Sequence, residues 1–343
     1  MRFWKILGLS LILNSIALTH TANAQTNAST SKPQDEKQLS LVFVGDVVLD
    51  GKAGEHIARG DDPFKSVKEI FTSADLRIAN LECVVALKGD IVDKNFNFRA
   101  HPRTLPYLAK YVDAVSIANN HSGDFGPQAF SEMLDYLKQH RITYFGGGNN
   151  LTQAHTPWIV EKNGYRIALL GYNEFMPRSF EATANLAGTA WSEDEQVVAD
   201  IQKARQQYRA DIVIPFMHWG WENELRAGPR QRALARKMID AGADAVIGGH
   251  PHVIQDTEEY KGKPIIYSLG NFMIDAMDNA NQARGWAVRL EIKGRQVHAW
   301  RSQLIQLDEE GIPASTNEKS ACWSKQHGLQ QQCEPFSPIK SRQ

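Results

Sequence analysis

The sequence predicts an α/β fold with mixed sheets, and two observations carry that prediction. Short runs rich in Val, Ile, Leu and Phe, at 41–45, 75–79, 113–118, 165–170, 211–216, 243–248 and 264–269, alternate with helical patterns over much of the chain. Strands that alternate with helices read as parallel strands joined by crossover helices. Two pairs of apolar runs instead flank tight-turn dipeptides. These are 158–161 and 165–170 about Asn163-Gly164, and 285–292 and 296–306 about Lys293-Gly294. Such dipeptides favour hairpin turns, so antiparallel strands are expected beside a parallel core.

In chain order, the first 24 residues read as an export signal. Arg2 and Lys5 form a basic start, 6–18 an apolar stretch, and Ala22-Asn23-Ala24 a small-x-small pattern before a cut ahead of Gln25. A membrane-spanning helix needs roughly 20 apolar residues; this stretch is shorter and contains Asn14. With no cysteine at the cut, a lipid anchor is not expected. The mature chain is therefore expected in the periplasm or outside the cell. Residues 25–39 are polar and without pattern, a solvated linker.

From Ser40 to about Leu307 no composition break appears, which favours one large domain. Helical patterns span 63–71, 102–111, 127–140, 194–208 and 228–241. Pro63, Pro102 and Pro127 stand at helix starts, where a missing N–H costs nothing. Residues 308–343 form a polar tail in which Cys322 and Cys333 bracket a Gln-rich stretch. An oxidising compartment favours pairing them. The formal charge of −1 comes without a clustered basic excess, so no nucleic-acid partner is expected.

The chemistry concentrates in polar clusters that follow apolar runs: Gly45-Asp46, Asn80-Leu81-Glu82, Asn119-Asn120-His121, His218-Trp219-Gly220 and His250-Pro251-His252. Ligand-binding residues gather outside the carboxyl ends of strands in open α/β sheets. Carboxylates, an amide oxygen and neutral imidazoles are ligands for divalent transition metals. A centre for two divalent ions of the Mn, Fe or Zn kind follows. Asp46 and Glu82 are costly to bury without a cation, and Glu82 could bridge two ions. Asn120 offers an amide oxygen. His218, taken alone, is more often a packed core residue than a ligand. Proline holds His250 extended, and residues i and i+2 of an extended segment face one way, so His250 and His252 would be presented together.

His121 would face substrate as a general acid, with Asp124 orienting its ring. Trp219, Trp221, Arg226 and Arg230 follow His218 and could hold an anionic substrate, although the two Trp residues could equally pack the loop. Arg99 is a further candidate for anion binding. The remaining histidines (His56, His101, His140, His155, His298 and His327) lack such context.

In order, these clusters resemble the CapA family of poly-γ-glutamate capsule proteins. They are joined by Asp124 with Gly126, Gly249-His250-Pro251-His252-Val253 and Ser268-Leu269-Gly270-Asn271-Phe272. That family is similar to the calcineurin-like metallophosphoesterases. The resemblance covers about 41–306. It implies a layered α/β/β/α sandwich of metallophosphoesterase type with mixed sheets. It also implies metal ligands from Asp46, Glu82, Asn120, His218, His250 and His252, and His121 as the acid. An anionic polymer or phosphoester substrate and membrane-bound capsule synthesis machinery are the partners it suggests. The chain departs from the phosphoesterase pattern at Val48, where an Asp-x-His pair would place an imidazole, and at Glu82, where Asp is usual. CapA-like chains share both changes, which put ordinary phosphatase activity in doubt. Two functions are expected in competition. One is a metal-dependent hydrolase or transferase in capsule polymer biosynthesis, and the other a binding or export-assembly protein without turnover.

Overall fold

Along the first strand, Leu41 and Phe43 face one way and Val42 and Val44 the other, and all four are fully buried. A strand apolar on both faces must be covered on both, which requires layers above and below it. The computed structural model, which describes residues 38–337 apart from Ser73 and Pro177, supplies those layers. The export-signal reading and the linker up to residue 37 lie outside the described residues. Gln38 and Leu39, read as linker, are the first residues of the Gln38–Val47 strand.

Two sheets face each other. In the ten-stranded sheet, Gln38–Val47 runs parallel to Leu76–Leu81, followed outward by Ala114–Ser116 and Thr143–Phe145. Its other side pairs antiparallel with Arg284–Lys293, which turns back through Gln296–Leu307. The six-stranded sheet centres on the parallel strands Tyr165–Asn173, Ile212–His218 and Val246–Gly249, with Lys263–Ile266 parallel beside them. Antiparallel Trp158–Lys162 and Thr257–Tyr260 close its edges.

Between the sheets lies a core of Leu41, Phe43, Ile167, Leu169, Ile214, Phe216, Ile247, Leu290 and Trp300. Phe43 and Phe216 meet edge to face across it, with ring centroids 5.9 Å apart. On the outer face of the first sheet, Val42, Val44 and Val115 pack with Leu105 and Leu108 of helix Leu105–Tyr111 and Phe130 and Met133 of helix Gly126–Gln139. On the outer face of the second, Ala168, Val213 and Val246 pack with Val197 and Ile201 of helix Asp194–Gln206 and Leu234 and Met238 of helix Pro229–Ala241. The result is an α/β/β/α sandwich of mixed sheets.

Both hairpins form, with one shift. Asn163 and Gly164 take positive φ between the first pair of strands. In the second, Lys293 pairs with Gln296, so the turn residues are Gly294 and Arg295 rather than Lys293-Gly294. The helix expected from Pro63 begins only after a 3₁₀ turn, Lys65–Val67, and runs Lys68–Thr72.

The polar tail does not stand apart from the domain. Strands Ser320–Ser324 and Gly328–Cys333 extend the ten-stranded sheet beyond Gln296–Leu307. Alternation puts Ala321 and Trp323 into the inter-sheet core. Ser320, Cys322 and Ser324 alternate with them, and the flanking residues are mostly charged or amides, so composition alone reads the segment as solvated. A disulfide joins Cys322 to Cys333 across this hairpin, 11 residues apart. Closing a loop of that size stabilises by about 3 kcal/mol. Replacing both cysteines by Ser should lower unfolding stability by that order in denaturant titration while leaving metal content unchanged; an unshifted midpoint would mean that strand pairing alone holds the edge.

Candidate metal centre

The parallel strands of both sheets end on the same side, and their ends carry the polar clusters. Asp46 is the next-to-last residue of Gln38–Val47, and Asn80 the next-to-last of Leu76–Leu81, with Glu82 directly after. His218 closes Ile212–His218, and His250 follows Val246–Gly249. Two glycines permit this crowding. A Cβ on Gly45 would lie 1.9 Å from the Gly270 carbonyl oxygen, and one on Gly249 2.7 Å from Asp46 Oδ1.

Asp46 and Glu82 are both fully buried. The strand-end residues supply potential ligand atoms in two sets, each within 4.8 Å: Glu82, His218 and His250, and Asp46, Glu82 and His252. Glu82 belongs to both, the arrangement of a bridging carboxylate. Asn120 Oδ1 lies 2.7 Å from His218 Nε2, which brings the amide to the first set. Both oxygens of Glu82 and both ring nitrogens of His250 are buried without a hydrogen-bond partner. His218 Nε2 comes within 3.2 Å of Glu82 Oε1, but not in hydrogen-bond alignment. A buried, unpartnered carboxylate is too costly to keep ionised without a compensating cation. Divalent metal held by these residues would satisfy the orphaned atoms, so the residues present fit a divalent-metal centre.

Electrostatics separates the imidazoles. Burial pushes His250 well below the ordinary histidine value, helped by the neighbouring imidazoles of His218 and His252, so its lone pair stays available. His252 is partly buried, and that burial opposes its charge. The Glu82 and Asp46 carboxylates outweigh that and raise it to about 10. Asp46 shows the reciprocal effect: burial would raise it, but the His252 hydrogen bond and charge hold it below its ordinary value. Asn80 Nδ2 donates to Asp46 Oδ1 at 2.8 Å, and His252 Nδ1 lies 2.8 Å from Asn271 Oδ1.

One geometric expectation is corrected. His250 is not extended: its φ is +95°, and that of His252 is +58°. Left-handed backbone at a residue with a side chain costs on the order of 1–3 kcal/mol and persists only where its surroundings enforce it. The two rings converge because Pro251 sits in a tight turn rather than a straight segment, with ring centroids 5.8 Å apart.

Next to the centre, His121 Nδ1 is 2.7 Å from Asp124 Oδ2. Lys94 Nζ donates to Asp124 Oδ1 at 2.6 Å and to the Asn120 carbonyl at 3.0 Å, and Phe98 N donates to Asp124 Oδ2 at 2.7 Å. The Lys94 ammonium also lies 3.3 Å from His121 Nδ1. Both are donors if the Asp124 bond is made, so that contact is not a hydrogen bond. His121 and His252 line a cavity of about 260 Å³ together with Phe96, Phe98, Glu222 and Met277.

The expected substrate contacts fare differently. Trp219 is fully buried in the outer core of the second sheet, its Nε1 donating to the Tyr267 carbonyl at 2.9 Å. It packs the loop and offers no surface to substrate. Arg230 is held by Glu174 at 2.8 Å and Asp194 at 2.5 Å, so its charge is already neutralised. Arg99 lies over the Phe125 ring, 4.2 Å from its centroid. Arg226 lines a different cavity, with Gln255, Asp256 and Trp286. Trp221 is 73% exposed and meets Phe175 edge to face. Phe175, whose ring centroid is 3.8 Å from that of His250, and Lys94 were not anticipated. Lys94 sits in a mixed-charge loop without an apolar run before it, and nothing local marks it.

The family described as "Bacterial capsule synthesis protein PGA_cap" matches residues 40–276. The chain is similar to the capsule biosynthesis protein CapA of Bacillus anthracis, 31% identical over 269 residues covering 76% of this chain and 65% of the relative. It is also similar to the PGA biosynthesis protein CapA of Bacillus subtilis, 33% identical over 251 residues covering 71% and 65%. It thus spans about 65% of the length of each. A crystal structure of a hypothetical protein from Thermus thermophilus superposes with a TM-score of 0.53 at 19% identity, over 78% of this chain and 99% of the other, a likeness of fold alone. If the two ligand sets hold divalent ions, the His250→Ala/His252→Ala double variant should lose most of the metal that the wild type retains, by elemental analysis of the folded protein; full metal content in the variant would refute the site.

Proposed function

Because the chain belongs to the bacterial capsule synthesis protein PGA_cap family, we propose that it is an exported metal-dependent hydrolase or transferase acting on a phosphoester or amide bond in poly-γ-glutamate capsule polymer biosynthesis. The observation that supports turnover is the oriented His121–Asp124 pair beside the orphaned Glu82 and His250. A polymer-binding site has no need of a positioned proton donor next to its ligands.

Asp46, Glu82, Asn120, His218, His250 and His252 would hold one or two divalent ions of the Mn, Fe or Zn kind. The chemistry such ions supply when bound is polarisation of the reacting oxygen and easier proton loss from water. The rest falls to side chains. Asp124 accepts from His121 Nδ1–H, which fixes the tautomer and leaves Nε2 as the exchanging position. Lys94 and Phe98 N hold Asp124 in place. Protonated at Nε2, His121 gives that proton to the departing oxygen or nitrogen as its bond breaks. Phe96 and Phe98 line the cavity that His121 and His252 share.

A second reading, binding of polymer carboxylates without turnover, draws on Val48. This residue is buried and apolar where the phosphoesterase pattern places an imidazole. In either case the periplasm or cell surface would be the working compartment, and membrane-bound capsule synthesis machinery the partner.

His121 separates the two readings. His121→Ala should keep its metal yet lose about 10²–10⁴-fold in any turnover, the usual worth of general acid catalysis. In a deletion strain it should fail to restore polymer, as the His250→Ala/His252→Ala variant should. Restoration by His121→Ala alone would overturn the enzyme reading in favour of metal-dependent binding.

A further inference from the structure

Beside the two buried ligand sets lies a third that neither the sequence pattern nor the family match assigns. A carboxylate oxygen of Glu222 and one ring nitrogen each of His250 and His252 all lie within 4.8 Å of one another. Glu222 is exposed, on the loop that joins the Ile212–His218 strand to the Pro229–Ala241 helix. That loop is tied down at the centre. Asn223 N donates to the Pro251 carbonyl at 2.9 Å, between the two imidazoles in sequence. Asn279 Nδ2 donates to Asn223 Oδ1 at 2.7 Å, and Gln255 Nε2 to the Glu224 carbonyl at 2.8 Å.

An exposed carboxylate does not by itself call for a cation. What distinguishes Glu222 is its company. His250 is fully buried, and neither of its ring nitrogens has a hydrogen-bond partner. Among the described residues Glu222 forms no ion pair with Lys or Arg, although Arg226 and Arg230 stand on the same loop and the helix that follows it. Arg230 turns instead to Glu174 and Asp194. The carboxylate is thus directed at the imidazoles and left without a basic partner.

We propose that Glu222 is a further metal ligand, bringing a carboxylate oxygen from the solvent side to the ions that Asp46, Glu82, His218, His250 and His252 hold from below. The inference rests on the metal-centre reading above. The Asp46, Glu82 and His252 set offers three residues, and transition ions take four donors or more. Glu222 adds a donor where the buried strand ends add none. It also differs in kind from Asp46 and Glu82. A ligand on a solvent-facing loop would be able to leave the shell without disturbing the packed core.

Glu222→Gln preserves shape and removes the charge at an exposed position, so folding is not at risk. Metal-free mature protein would be titrated with Mn(II) and with Zn(II) in competition with a chromophoric chelator. Glu224→Gln serves as the control on the same loop, and His250→Ala/His252→Ala as the control for the centre. Glu222→Gln should weaken at least one ion by about 10-fold or more, since even outer-shell partners are worth that much. Glu224→Gln should bind as wild type does. Wild-type affinity in Glu222→Gln would overturn this ligand and leave the buried centre standing. Failure of the wild type itself to bind either cation would overturn both the centre and this inference.

Discussion

Two ionisable carboxylates, Asp46 and Glu82, are carried to full burial at the adjoining ends of neighbouring parallel strands. Nearly everything local to the site is a response to that constraint. Asn80 donates to Asp46, the His250 backbone N–H reaches its other oxygen at 3.2 Å, and the imidazoles of His218, His250 and His252 are drawn around the pair. Asp46 obtains donors from the protein, whereas Glu82 obtains none. Desolvating a charge without compensation costs several kcal/mol even after relaxation. The asymmetry between the two carboxylates is what makes a cation, rather than a hydrogen-bond network, the missing element.

The scaffold concentrates its irregularity at the same place. Both His250 and His252 take left-handed backbone, and Gly45 and Gly249 admit neighbouring atoms where no side chain would fit. These features surround the strand ends, while the strands themselves are regular and their inward residues apolar. The rigid parts are two sheets locked through the Phe43–Phe216 contact and the apolar layer around it. Strain at the His-Pro-His turn is sustained because that layer and the crossover helices leave the turn little freedom to relax.

Much of this was legible in residue order. The alternation of apolar runs and helical patterns marked the parallel strands, and Asn163-Gly164 marked a hairpin to within a residue, because turn chemistry is local. The six ligand candidates were visible because each polar residue follows a run that has to be buried. Other features were not legible. The tail reads as solvated because Ala321 and Trp323 are apolar residues among amides, yet they complete the inter-sheet core once a sheet edge is present to receive them. Trp219 reads as a substrate contact from its position after His218, but its ring direction depends on Tyr267, nearly fifty residues later. Lys94 and Glu222 lie on loops whose paths are set by contacts distant in sequence.

The sequence by itself determined which residue types would be brought to strand ends, since burial of a strand and the two-residue period of its side chains are local properties. It therefore determined the candidate donors. The tertiary structure alone decided how those donors divide. Glu82 stands in both sets, the Glu82 and Asp46 carboxylates raise His252 while burial lowers His250, and Arg230 is neutralised rather than free. These distinctions follow from distances of a few ångströms between residues far apart along the chain. Coulomb energy and desolvation depend on those distances and on burial, and neither is written in the order of residues along the chain.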